Sequence, residues 1–154
     1  MADEDSSRFA AACDKAEKVA LRLIGRAEQN SLGLTAKLEK KGFEAAVARE
    51  VVSRLQSRNL LDDTRYAELW IHSRLSGCKK LTPLSLLRSL NKKGIDMRLS
   101  KNALEKALDP DTEYSMLENY LKKANIIQHE KIRILKAQLK KEGFSSEVLE
   151  RFYS

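Results

Sequence analysis

The chain has 154 residues, enough for one ordinary domain or for a short array of small units that share a core. Apolar residues make up 42% and charged residues 33%, with 6 glycines and 2 prolines, so the chain folds, favours helix and carries a heavily charged surface. Cys13 and Cys78 are the only cysteines, which excludes a disulfide framework, and the net charge of +7 points to a polyanionic partner or an acidic groove on another protein. That charge is uneven. Residues 1–19 hold Asp3, Glu4, Asp5, Asp14 and Glu17 against Arg8, Lys15 and Lys18, which leaves +9 on the rest. The polar, acidic start lacks the basic-then-apolar pattern of a signal peptide, and no apolar run approaches the ~20 residues that span a bilayer. A soluble, cytoplasmic protein with reduced thiols and no membrane partner is expected.

In chain order, residues 1–8 lack apolar content and are expected as a disordered acidic leader. Ala16, Val19, Ala20, Leu23, Ile24 and Ala27 then describe an amphipathic helix. A second helix is expected from about Ser31 to Lys41, and a third through Ala46, Val47, Val51, Val52 and Leu55, before Leu60-Leu61. Asp62-Asp63-Thr64 is an N-cap cluster, and the helix behind it sets Tyr66, Ala67, Trp70, Ile71 and Leu75 on one face. Thr82-Pro83 opens the next helix, with Thr as cap and Pro at the first helical position. The following helix runs through Leu99, Ala103, Leu104, Ala107 and Leu108 and stops at Pro110. Asp111 is read as the next cap, with Leu117, Leu121 and Ala124 inward, followed by helices over about Glu130 to Lys141 and Ser146 to Phe152.

One phrase recurs through this order. Gly42, Gly94 and Gly143 lie 52 and 49 residues apart, each with leucines four and eight positions earlier (Leu38 and Leu34, Leu90 and Leu86, Leu139 and Leu135) and an apolar residue directly after: Phe43, Ile95 or Phe144. Leucines at i and i+4 share a helical stripe, and lysines in the last turn complement the helix dipole. Glycine takes the left-handed position past the helix end, and the apolar residue after it folds back. The chain therefore reads as all-α, with three tandem three-helix repeats over 9–61, 62–110 and 111–154. Nine helices are expected, stacked into an elongated, curved array.

The basic residues carried by these repeats are the functional candidates. Lys79, Lys80, Arg88, Lys92 and Lys93 lie in a stretch without acids. The matching part of the third copy holds Lys131, Arg133, Lys136, Lys140 and Lys141, and the first supplies Lys37, Lys40 and Lys41. Equivalent helices place these charges at a regular period that suits successive phosphates or acidic patches on successive protomers, while a solvated face with dipole-complementing lysines is the plainer reading. Arg65 and Arg74 are further candidates for partner contact or for pairing with Asp62 and Asp63, which themselves read as helix caps. Trp70 is expected in the core rather than against a base.

Catalytic constellations are missing from the sequence. His72 and His129 have no ligand spacing. Asp109-x-Asp111-x-Glu113 begins like a calcium loop but lacks its glycine and terminal glutamate, and no phosphate-binding loop or nucleophile elbow follows. No enzyme activity, cofactor or metal is expected, and nothing demands more than a monomer.

Arg26-Ala27-Glu28, Leu34-x3-Leu38-Glu39-Lys40-Lys41-Gly42-Phe43 and Leu60-Leu61-Asp62-Asp63-Thr64-Arg65-Tyr66-Ala67-x2-Trp70-x3-Arg74 together resemble the RecX family, from about residue 18 to the C-terminus. Tyr66 stands where that family more often has Phe, and Gly33-Leu34 where Glu-Leu is more usual. The resemblance implies a bacterial regulator that docks along the groove of the RecA recombinase filament on single-stranded DNA. It also implies suppression of recombinase activity, ATP hydrolysis and filament growth, and thereby modulation of DNA repair and recombination. A helical-repeat nucleic-acid-binding protein without a RecA partner, or a protein-only scaffold, would share the architecture.

Overall fold

The structure, a computed structural model, describes residues 1–77, 80–123 and 129–154, apart from the side chains of 129–134. Among the described residues every regular element is a helix, and there are nine: α1 (Ala2–Arg26), α2 (Ser31–Lys40), α3 (Ala45–Ser57), α4 (Asp63–Leu75), α5 (Pro83–Lys92), α6 (Met97–Ala107), α7 (Pro110–Lys123), α8 (His129–Lys141) and α9 (Ser146–Tyr153). They follow one another in the order that the glycine spacing predicts. The leader differs: residues 2–8 continue α1, with Asp3, Glu4 and Asp5 in its first turn, where carboxylates offset the positive end of the helix dipole.

The recurring phrase forms the same turn each time. Gly42, Gly94 and Gly143 have φ of 98°, 87° and 96°, the left-handed region that glycine enters without steric cost. After α2 the N–H of Phe43 donates to the carbonyl of Leu38 at 3.2 Å and that of Gly42 to Glu39 at 2.9 Å; after α8, Phe144 donates to Leu139 at 3.2 Å and Gly143 to Lys140 at 3.1 Å. These paired bonds satisfy carbonyls that the helix end leaves without partners. Ile95 and Phe144 fold back to only 2% exposure, as the phrase predicts.

Residue contacts divide the chain into two compact units, Met1–Tyr66 with Lys93–Ile95, and Ala67–Lys92 with Asp96–Ser154. In the first, α1 and α2 pack on α3 around Cys13, Ala16, Ala20, Leu34, Leu38, Val51 and Leu55. Each fully buried leucine contributes about 1.5–3 kcal/mol over an exposed one. The Gly94 turn lies so close to α2 that a Cβ there would fall 2.1 Å from Leu32 Cδ2. In the second unit α5 packs on α6, and α7 and α8 on α9, with Ile71, Leu86, Leu90, Leu117, Leu139, Phe144 and Leu149 buried. There the Gly143 turn abuts α5: a Cβ on Gly143 would stand 3.1 Å from Leu84 N, and Leu84 N donates to the Glu142 carbonyl at 2.9 Å.

Side-chain caps set where the helices begin. Asn30 accepts from Gly33 N at 2.7 Å and Asp62 from Thr64 N at 2.9 Å. Thr82 and Ser85 form a reciprocal pair, Ser85 N donating to Thr82 Oγ1 at 3.1 Å and Thr82 N to Ser85 Oγ at 2.9 Å. Pro83 occupies the first helical position of α5 as expected. The third copy corrects the sequence reading. Pro110 starts α7 instead of stopping α6, which ends at Ala107, and the cap is Asp109, accepting from Thr112 N at 2.7 Å, rather than Asp111. Proline is tolerated there because a first-turn N–H has no intrahelical partner to lose.

A candidate basic interface

The cations expected to meet a partner ride on helices whose leucines are spent in the core. On α2, Leu34 and Leu38 are buried while Lys37 and Lys40 are exposed, as is Lys41 directly after it. On α5, Leu86 and Leu90 are buried while Arg88 and Lys92 stand exposed, followed by exposed Lys93 in the turn. On α8, Leu139 is buried while Lys136, Lys140 and Lys141 are exposed. The 3.6-residue period creates this division, since leucines at i and i+4 claim one stripe and the lysines between them fall outside it. Lys79 lies outside the described residues, as do Cys78, Ala124 and the side chains of Lys131 and Arg133. No Asp or Glu occurs in the sequence from Leu69 to Ile95, although the Glu142 carboxylate accepts from Thr82 Oγ1 at 3.1 Å at the start of α5.

Several of these side chains already have a partner of their own. Lys37 Nζ donates to Gln29 Oε1 at 2.7 Å. Lys80, exposed, sits 5.1 Å from the centre of the Tyr120 ring, and Lys136 5.4 Å from that of Tyr153. These cation–π contacts hold the ammonium groups near half-buried rings without neutralising them. Burial pushes the Tyr153 phenol above its ordinary pKa, so the ring stays neutral beside Lys136.

Arg65 is placed differently. Its Nε donates to Glu28 at 2.7 Å, and its two terminal nitrogens reach the carbonyls of Asn59 and Leu60 at 3.4 Å each. The hydrogen bond to Glu28 raises its pKa further. Arg65 thus ties the start of α4 to the segments before α2 and after α3. Arg74 lies with its guanidinium carbon 5.1 Å from the centre of the Trp70 ring. Trp70 departs from the expected core position: Ala67 and Ile71 are fully buried, but Trp70 is only half-buried, and Leu69 beside it is 50% exposed. The i, i+4 spacing of Trp70 and Arg74 is a signal the sequence did carry, because such residues are neighbours on a helix surface. Tyr120 and Tyr153 carried none, since their lysines come from distant segments.

The acidic groups turn out to be structural. Asp109 caps α7, and its hydrogen bond from the Thr112 backbone holds its carboxyl below the usual carboxylate range. Asp111 pairs with Arg151 at 2.6 Å. Glu113, 8% exposed, accepts from Ser145 N at 2.5 Å and Ser145 Oγ at 3.2 Å. The calcium-like spacing therefore feeds three separate tasks, and among the described residues no group of three His, Cys, Asp or Glu side chains is placed to hold a metal. Sequence reading also missed a groove of about 310 Å³ lined by Pro83, Leu84, Leu87, Leu104 and Leu108, with Lys101 and Glu105 at it. Among the described residues no helix is long and apolar enough to cross a membrane.

No family model matches the chain. It is 33% identical over 115 residues to the regulatory protein RecX of Treponema pallidum (strain Nichols), which covers 75% of this chain and 70% of the relative. It is 28% identical over 138 residues to the regulatory protein RecX of Mycobacterium leprae (strain Br4923), covering 86% and 80% of the two chains. The crystal structure of RecX from Lactobacillus salivarius superposes with a TM-score of 0.73 at 20% identity, over 92% of this chain and 94% of that one. A second crystal structure, of regulatory protein RecX, gives 0.73 at 19% identity over 95% and 73%. The fold is thus the one those crystal structures have, and the sequence identity shows that the chain belongs to the RecX family of regulatory proteins.

Proposed function

We propose that the chain is a non-enzymatic, cytoplasmic regulator that binds a RecA-type recombinase filament on single-stranded DNA, as a monomer and without a cofactor, and lowers its ATP hydrolysis and recombination activity. The observation that carries the reading is the division of α2, α5 and α8 into a buried leucine stripe and an exposed basic one. A filament repeats both its phosphates and its protein surface, so cations that recur with the helical repeat suit such a partner better than a single compact ligand. The contacting residues on this reading are Lys37, Lys40 and Lys41, Arg74, Lys79, Lys80, Arg88, Lys92 and Lys93, and Lys136 and Lys140. Membership in a family of regulatory proteins supports the same direction.

The test is DNA-stimulated ATP hydrolysis by the cognate recombinase, with filament length measured in parallel. Saturating protein is expected to lower both, and reversal of Lys80, Arg88, Lys92 and Lys93 to Glu to abolish the effect at unchanged helical content. Unaltered hydrolysis and filament length with the wild-type protein would overturn the proposal.

A further inference from the structure

The outer face of α1 carries a row of cations that the net acidic charge of residues 1–19 conceals. Arg8, Lys15, Lys18, Arg22 and Arg26 are all exposed. Their successive spacings of 7, 3, 4 and 4 residues set them within about 80° of one another around the helix, over a rise of about 27 Å. Because all five ride on one continuous helix, the helix itself fixes where they stand. Cys13, Ala16 and Ala20 are fully buried and mark the other side, which packs on α3. Between Arg8 and Arg26 the arc of the cations holds one further residue, Ala11. Glu4, one turn ahead of Arg8, and Asp14, at the edge of the arc, are the α1 carboxylates that border it. Glu17 turns towards α3, where it pairs with Arg58 at 2.5 Å and lies 4.0 Å from Arg54. Those two arginines are thereby compensated. Among the described residues, none of the five α1 cations has a hydrogen-bond or ion-pair partner.

What this ridge lacks decides what it fits. A protein-docking surface centres on apolar anchors, and the arc offers only Ala11. A single strand is held in large part by bases stacked on aromatic rings. The one aromatic residue of α1, Phe9, falls on the side of the buried stripe, four residues before Cys13 and seven before Ala16. What remains is a set of unpaired charges of one sign, fixed along a rigid rod. Its complement is an array of fixed, closely spaced charges of the other sign, and duplex DNA presents one about every 1.7 Å of its axis. We infer that the outer face of α1 binds the phosphate backbone of duplex DNA through Arg8, Lys15, Lys18, Arg22 and Arg26. Such contacts position a protein on the duplex and carry no sequence preference. The site lies within the first unit and does not rest on the proposed function: it requires neither a recombinase, nor a single strand, nor the cations of α5 and α8.

The experiment titrates an end-labelled DNA duplex with the full chain, without recombinase, and follows anisotropy over a range of salt. A parallel series uses labelled oligo(dT). The wild-type chain is expected to bind the duplex with an affinity that falls steeply as salt rises. Replacing Lys15, Lys18 and Arg22 together by Ala is expected to weaken duplex binding. It should also make the slope of log affinity against log salt shallower by about three, one for each phosphate no longer neutralised. The slope for oligo(dT) is expected to change less. Alanine favours helix, and circular dichroism checks that α1 is retained. Arg8→Ala alone tests the same surface where residues 1–11 are all exposed and no core packing is at stake; it is expected to lower the duplex slope by about one. Phe9→Ala, on the other side of the helix, is expected to leave duplex affinity unchanged. No binding of the wild-type chain to duplex at low salt, or slopes unchanged by these cation replacements, would overturn the inference. Equal changes with duplex and oligo(dT) would overturn the assignment to the duplex. An unchanged duplex slope with weakened binding to the DNA-free recombinase would also overturn it, and would assign the ridge to a protein partner. If ATP hydrolysis by the recombinase were unaffected while the duplex slope responded as expected, the regulatory reading would fail and the α1 site would survive.

Discussion

The carboxylate of Asp63, the first residue of α4, accepts from both the backbone N–H and the hydroxyl of Ser31, the first residue of α2, at 2.7 and 2.5 Å. One side chain thereby satisfies a donor that the start of α2 leaves open and places negative charge at the positive end of that helix. Its neighbour Asp62 caps α4 itself. The two adjacent carboxylates are two fasteners. One is local, and the other spans residues far apart in sequence.

Asp63→Ala is therefore expected to cost about 1–3 kcal/mol, because it removes both acceptors from partly buried donors. Asp63→Asn keeps one acceptor and is expected to cost less. Urea unfolding followed by circular dichroism measures both, and an unchanged midpoint for Asp63→Ala would show that water replaces the carboxylate fully.

The three turn glycines are not equivalent, despite their common φ. All three resist alanine, since a left-handed conformation costs an L-residue about 1–2 kcal/mol. A Cβ at Gly42 meets nothing within 4 Å. At Gly94 it would lie 2.1 Å from Leu32 Cδ2 and 2.8 Å from Leu32 Cβ, so the side chain cannot simply swing its far end away. At Gly143 it would press on Leu84 N and Pro83 Cβ, both at 3.1 Å. Gly42→Ala is expected to lose only the backbone cost, and Gly94→Ala and Gly143→Ala more, in the same denaturation assay. Equal losses at all three would mean that the close approaches relax freely.

Cys13 is fully buried between α1 and α3, and burial pushes its thiol above the ordinary value. The reactive thiolate is accordingly scarce at neutral pH. In a Cys78→Ser background, Cys13 is expected to react with a thiol reagent only as the first unit opens, at a rate that rises with urea before the global transition if that unit opens locally. Fast labelling of the native protein would contradict the packing of α1 on α3.

Much of this fold was legible from the leucines and glycines, because a helical period and a left-handed glycine are local properties of the chain. The exposure of Lys37, Lys40, Arg88 and Lys92 followed from the same period. Partners contributed by distant segments were not legible: Glu28 for Arg65, Glu113 for Ser145, and Tyr120 for Lys80 depend on which helices meet. The place of Trp70 was misread for a related reason. Its spacing to Ala67 and Ile71 puts it near the apolar stripe, but an indole at the edge of that stripe is not fully buried, and Arg74 one turn on takes a place by its ring.

The contrast between Arg65 and the α5 cations separates structure from binding. Arg65 is held by Glu28 and two carbonyls, so Arg65→Ala is expected to lower the stability of the first unit slightly, with little change in DNA or filament affinity. Arg88 and Lys92 carry exposed charge one turn apart on α5. Their replacement by Ala is expected to leave unfolding unchanged, to weaken binding, and to reduce the slope of log affinity against log salt by about one for each phosphate that is no longer neutralised. Paired unfolding and salt-dependent anisotropy measurements on the variants decide the matter. A change of slope for Arg65→Ala equal to that for Lys92→Ala would return Arg65 to the interface, and unchanged slopes for Arg88→Ala and Lys92→Ala would remove α5 from it.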